Sequence, residues 1–178
     1  MTLASRHNEL MSLEQWRALG EDTSVRSELQ EGVLIVSPSP TPRYQRAIMR
    51  LGVHLHGALP DNYDAIPEVD VVLDAAFPPT VRRPDLVVTR PVSGPVVARD
   101  VVVIVEVLSP GTRRVDLVLK RYEYAEAGIP NYWIVDLEGT PRLEALTLVD
   151  GRYVGDWVTG TYTSDVPFPV TVDLDSLV

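Results

Sequence analysis

The eight residues VVVIVEVL, 101–108, constrain the fold more than any other stretch. Five β-branched residues in a row resist a helix and suit a strand covered on both faces. Such a strand belongs inside a sheet with helices packed against it. Yet the run contains Glu106. Burying an ionised carboxylate without a partner costs roughly several kcal/mol, even after relaxation. The chain must therefore supply a metal, a cation, or a strand end that opens into a cleft.

The flanking sequence supplies the rest of the sheet. MSLEQWRALG predicts a short helix with Ser12 as N-cap and Gly20 as its stop. Residues 27–37 predict a hairpin turning at Glu31-Gly32, followed by a rigid SPSPTP loop. Residues 43–59 predict a helix, with Ile48, Leu51 and Leu55 at helical spacing. Residues 63–73 predict one strand interrupted at Pro67, and a short strand starts from Pro84. Residues 113–127 predict a helix ended by Gly128, with Pro130 just beyond. YWIVD, 132–136, predicts another buried strand, and the remainder a meander turning at Asp150-Gly151. This order predicts an α/β protein built on a mixed sheet flanked by helices. The 178 residues suit a single domain, with residues 1–10 as a flexible N-terminus.

Composition narrows the chemistry. There is no cysteine, hence no thiolate nucleophile or metal ligand. No apolar run is long enough to span a bilayer, and MTLASRHNEL has no apolar signal core, so a cytoplasmic protein is expected. The net charge of −9 argues against coating nucleic acid electrostatically, though not against a local grip or one made through a divalent cation. Fifteen arginines stand against one lysine, Lys120. Serine-hydrolase, phosphate-loop and zinc-helix motifs are absent.

Three polar groups interrupt the apolar middle of the chain: Asp85 at a strand start, Glu106 near the end of the next strand, and Lys120 on the following helix. If the two strands are neighbours, the carboxylates converge at one end of the sheet and the helix lays Lys120 over them. Two carboxylates suit Mg²⁺ (or Mn²⁺), which takes few protein ligands and leaves room for water and a phosphate oxygen. Such an ion would compensate Glu106, polarise a phosphoryl oxygen and lower the pKa of water.

PD followed by an apolar strand ending in an acid resembles the PD-(D/E)XK nuclease pattern. More specifically, ELQEG, SPSPTPRYQRA, RRPDLVV, VEVLSPGT, DLVLKRYEYAEAGIPNYWIVD and DGRY resemble the Uma-type restriction endonuclease family of bacteria, from about Ser12 to the C-terminus. The resemblance implies a restriction-endonuclease-like core and metal-dependent cleavage of DNA phosphodiesters. It implies that Asp85 and Glu106 bind the metal with the carbonyl of Val107, and that Glu28 adds an acid from the first hairpin. In the general pattern the lysine follows two residues after the second acid. Leu108 stands there, and the resemblance moves the lysine to Lys120. Tyr44 stands where the family often has His, and Gly111 where Ser is frequent.

Other readings stand beside these. Asp116 and Lys120, four apart, also form an ordinary helix ion pair worth about 0.2–0.5 kcal/mol. Tyr124, Tyr132 and Trp133 read as core packing rather than base stacking. His54 and His56 do not share a helical face. Arg82 and Arg83 adjoin the proposed metal and are candidate phosphate contacts, as are Arg43 and Arg46 on the second helix, whose default is a solvated face. Cutting both DNA strands favours a homodimer. Two rival functions share the fold: a catalytically silent interaction or nucleic-acid-binding module, and a hydrolase of a smaller phosphodiester.

Overall fold

The run at 101–108 forms a strand with all eight residues buried, inside the largest sheet of the protein. The computed structural model describes residues 10–20, 25–37 and 40–178. Residues 1–9 of the expected flexible N-terminus, and residues 38 and 39 of the SPSPTP loop, lie outside the described residues. In chain order the elements are α1 (Leu13–Arg17), β1 (Arg26–Gln30), β2 (Val33–Ser37), α2 (Pro42–Ala58), β3 (Asp64–Pro67), β4 (Val71–Asp74), β5 (Thr80–Arg82), β6 (Leu86–Thr89), β7 (Val96–Val97), β8 (Val101–Leu108), α3 (Arg121–Glu126), β9 (Asn131–Asp136), β10 (Arg142–Val149), β11 (Arg152–Val154), β12 (Trp157–Thr159), β13 (Thr161–Ser164) and β14 (Val170–Asp173). A wider, π-type helical stretch, Val115–Lys120, runs directly into α3.

The large sheet is ordered β11-β10-β9-β8-β6-β3, with β12 also on β10. β8 and β9 are parallel, as a helical crossover between them requires, and β6 and β3 continue antiparallel. A second sheet runs β2-β1-β5-β4-β7, and β13 pairs with β14 alone. The chain leaves the second sheet after β5 and enters the large one at β6, so residues 83–85 lie at the junction of the two.

Alternation along β8 sorts its side chains between two cores. Val103, Val105 and Val107 pack with α2 residues Leu51 and Leu55 and with Trp133 and Phe168. Ile104 and Leu108 face the other way, toward Tyr124, Ile129 and Tyr132. Glu106 shares that second face, under the helix that follows.

Local signals account for most boundaries. Ser12 caps α1 in a reciprocal capping box with Gln15. Gly128 takes φ +73° after α3, where the Gly128 and Ile129 amides bond back to Ala125 and Tyr124. Two expectations required correction. Residues 63–73 form two strands in different sheets, because Pro67 ends β3 and Glu68 turns with φ +48°. The Pro-rich loop before Pro84 hides β5, three residues long. Among the described residues no helix is long and apolar enough to cross a membrane.

Asp136, buried at the end of β9, ties the crossover helix to the β9–β10 hairpin. It accepts from Arg113 at 2.9 and 3.1 Å and from Arg142 at 2.7 and 3.1 Å. Burial alone would raise its pKa, but these bonds and the Glu138 amide pull it down to about 2. Asp136→Asn should cost about 1–3 kcal/mol in urea unfolding at pH 7. Since the native value lies below the ordinary 3.8, the stabilisation is complete above that pH and is lost as pH falls toward 2. The gap between wild type and variant should close over the same range.

Candidate active site

Strand register brings the acids together. β6 and β8 pair as far as Leu86↔Val105, and one step further Asp85 faces Glu106. β1 and β5 pair at Leu29↔Val81, and one step further Glu28 faces Arg82. Arg26, two residues before Glu28, shares its face of β1. The π-type stretch and α3 lay Asp116, Lys120, Glu123 and Tyr124 over this point. The helix is inverted here: Asp116 and Lys120 are buried, while Val115, Val118 and Tyr122 are exposed.

Lys120 Nζ lies 2.8 Å from Glu106 Oε1, 3.2 Å from Glu28 Oε1 and 3.3 Å from Asp116 Oδ1. The Tyr124 hydroxyl donates to the same Glu106 oxygen at 2.9 Å. Asp85 Oδ2 accepts the Val107 N–H at 2.7 Å, and Asp85 Oδ1 meets Arg26 Nη1 at 2.6 Å. Arg26 Nη2 donates to the Arg83 carbonyl and stands 3.9 Å from Glu106 Oε2. Arg82 forks onto Glu123 at 2.7 Å and donates to Glu28 at 2.9 Å. Apart from its ion pair with Lys120, Asp116 Oδ1 is buried with no hydrogen-bond partner among the described residues.

Charge is crowded here. Five carboxylates (Glu28, Asp85, Glu106, Asp116, Glu123) face three cations (Arg26, Arg82, Lys120), an excess of two negative charges if all are ionised. Burial raises Glu106 to about 8, with Asp116 and Asp85 adding to it and Lys120 and Arg26 opposing. Burial likewise raises Asp116. Burial would lower Lys120 and Arg26, but the surrounding acids outweigh it and hold both above their ordinary values. Glu28 falls below its ordinary value because Lys120 and Arg82 overcome its burial.

A cleft of about 460 Å³ opens onto the cluster, lined by Arg26, Glu28, Asp85, Glu106, Asp116 and Lys120 among others. The structure thus brings together Glu28, Asp85, Glu106, Val107 and Lys120 from the sequence reading. The contact it gives Val107 is through the N–H. Arg43 and Arg46 lie on an exposed face of α2, their default reading, whereas Arg82 and Arg83 are engaged by acids. Arg82 is 1% exposed and spent on Glu28 and Glu123, so it is not placed to touch a phosphate. Arg83 pairs with Asp70 at 2.7 Å. Arg43 holds the Leu137 carbonyl and Glu138, while Arg46 is exposed. Arg26 escaped the sequence reading, although its R-x-E spacing to Glu28 on one strand was the available signal. Tyr124 packs in the core as expected, but its hydroxyl also serves the site.

The donor set can be tested against a divalent cation. Among the described residues no group of three acidic or histidine side chains forms a ready-made cage. Mg²⁺ needs only one or two carboxylates beside water and substrate oxygens. Asp85 Oδ1 and Glu106 Oε2 both face the Arg26 guanidinium, and five acids outnumber the three cations around them. The set fits a hard divalent ion held by two protein carboxylates.

The mixed sheet with its helical crossover defines an α/β class of protein. The same fold occurs in a crystal structure of a putative nuclease belonging to DUF820 from Anabaena variabilis, with a TM-score of 0.71. That protein is 16% identical, and the match covers 94% of this chain and 97% of that one. No curated protein matches the chain. Residues 10–170 match the model of the Uma2 family, described as "Putative restriction endonuclease", and the chain belongs to that family.

Lys120 is the shared counter-ion of three buried acids, so its removal should weaken the fold as well as any chemistry. Lys120→Met is expected to lose about 3–5 kcal/mol in denaturant unfolding at pH 8. The deficit should shrink toward pH 5, where Glu106 is neutral and needs no partner.

Proposed function

We propose that the protein is a divalent-metal-dependent DNA endonuclease, with Mg²⁺ or Mn²⁺ as cofactor. The observation that carries this reading is the convergence of Asp85 Oδ1 and Glu106 Oε2 at the floor of a cleft. Asp85 and Glu106 hold the cation. When bound, it polarises a phosphoryl oxygen and lowers the pKa of water for in-line attack. Lys120 and Tyr124 pin Glu106 Oε1, which turns Oε2 toward the cleft. Lys120 also offsets negative charge gathering on the phosphate. Glu28 positions Lys120 and Arg82. The family description supports DNA as the substrate, ahead of a smaller phosphodiester. The enzyme acts in the cytoplasm as one domain, and double-strand cleavage is served by a homodimer.

The test is cleavage of plasmid and single-stranded DNA with Mg²⁺ or Mn²⁺ at low salt, beside Glu106→Gln. Gln keeps the volume and a hydrogen-bond acceptor but not the charge. The variant should remain folded and lose at least about 100-fold in rate, as removal of a catalytic charge does. Glu106 must shed its proton to hold a cation. Metal affinity should therefore rise by about tenfold per pH unit below pH 8 and level off above it. One observation favours a silent nuclease-fold module: Arg26 and Lys120 already compensate the two acids. Failure of the wild type both to cleave DNA and to bind Mn²⁺ would decide for that module.

A further inference from the structure

We infer that Arg26 is a latch on the metal position: guanidinium and cation exclude one another, and loading moves Arg26 into a neighbouring cavity. The inference rests on Asp85 and Glu106 being the metal-binding pair.

The geometry is selective. Each acid has one oxygen engaged elsewhere, Asp85 Oδ2 by the Val107 amide and Glu106 Oε1 by Lys120 and Tyr124. Arg26 faces the other oxygen of each, at 2.6 Å from Asp85 Oδ1 and 3.9 Å from Glu106 Oε2. Mg²⁺ binds oxygen at about 2.0–2.1 Å. An ion on those two oxygens would overlap the guanidinium, and the two positive charges would repel. Lys120 is not the competitor, because it sits on the far oxygen of Glu106 and carries two further acids.

Arg26 also has somewhere to go. Its side chain lines a second cavity of about 610 Å³ behind the site, walled by Trp16, Glu68, Asp70 and Val96. Nη2 already reaches toward this side, on the Arg83 carbonyl. Glu68 makes no side-chain hydrogen bond or ion pair among the described residues and offers a carboxylate in exchange for Asp85.

Measured affinity falls by the fraction of molecules with the latch open, so abolishing the latch restores that factor. Mn²⁺ binding to the full chain is measured by electron paramagnetic resonance, and Mg²⁺ binding by calorimetry. Arg26→Met should bind Mn²⁺ at least about tenfold more tightly than wild type. Arg26→Lys keeps a charge beside Asp85 but lacks the fork, and should fall between the two; it decides the matter if the Met variant does not fold. Glu106→Gln should abolish binding. If both Arg26 variants bind no more tightly than wild type while Glu106→Gln still abolishes binding, the latch is overturned and the metal site stands. If none of the proteins binds Mn²⁺ or Mg²⁺, the latch and the metal reading fall together.

Discussion

The structure turns on how Glu106 is compensated. A strand covered on both faces is a poor place for a charge, and the carboxylate there is 2% exposed. Lys120 and Tyr124 reach one of its oxygens from the crossover helix, and Arg26 approaches the other from the first hairpin. The crossover helix must therefore lie over the end of β8. The first hairpin must lean its charged face against the large sheet. Removing the charge would relieve the requirement that joins the two sheets at residues 83–85.

The same compensation gives the site its chemical character. Around Arg82 and around Asp136 every charged group has an opposite charge within 2.9 Å, which reads as scaffold. At Asp85, Glu106 and Asp116 the matching is incomplete, and the acids retain demand for positive charge. Beneath them Tyr124, Tyr132 and Tyr153 stack edge to face or tilted, and the Tyr132 hydroxyl holds the Asp116 carbonyl. This apolar floor denies water to the acids from below and leaves the cleft as the approach.

Much of this was legible in the sequence because local signals and tertiary need agree. The β-branched run, the single lysine and the PD step each stand out, and β8, Glu106, Asp85 and Lys120 meet as the order of elements suggests. The parts that stayed hidden depend on long-range pairing. β5 has three residues and no pattern of its own; β1 and β4 make it a strand. Arg26 reads as one more surface arginine until the hairpin is laid against Asp85, 59 residues away. Arg82 looked available for phosphate because nothing in its neighbourhood reveals Glu123, 41 residues on. The helix over 113–127 was legible as a helix, but its widened turn was not, since the apolar residues Val115 and Val118 point outward there.

That widened turn has an evolutionary corollary. A π-type turn closes each hydrogen-bonded ring with one residue more than an α-turn does. Loss of a single codon within Val115–Lys120 would let the helix revert to α geometry while its flanks stay in phase. Arg113 would still meet Asp136 and Tyr124 would still underlie Glu106. Only the residues of the turn itself, Asp116 and Lys120 among them, would change direction. One deletion there would thus redirect Asp116 and Lys120 together and leave Glu28 and Glu106 without their shared ammonium.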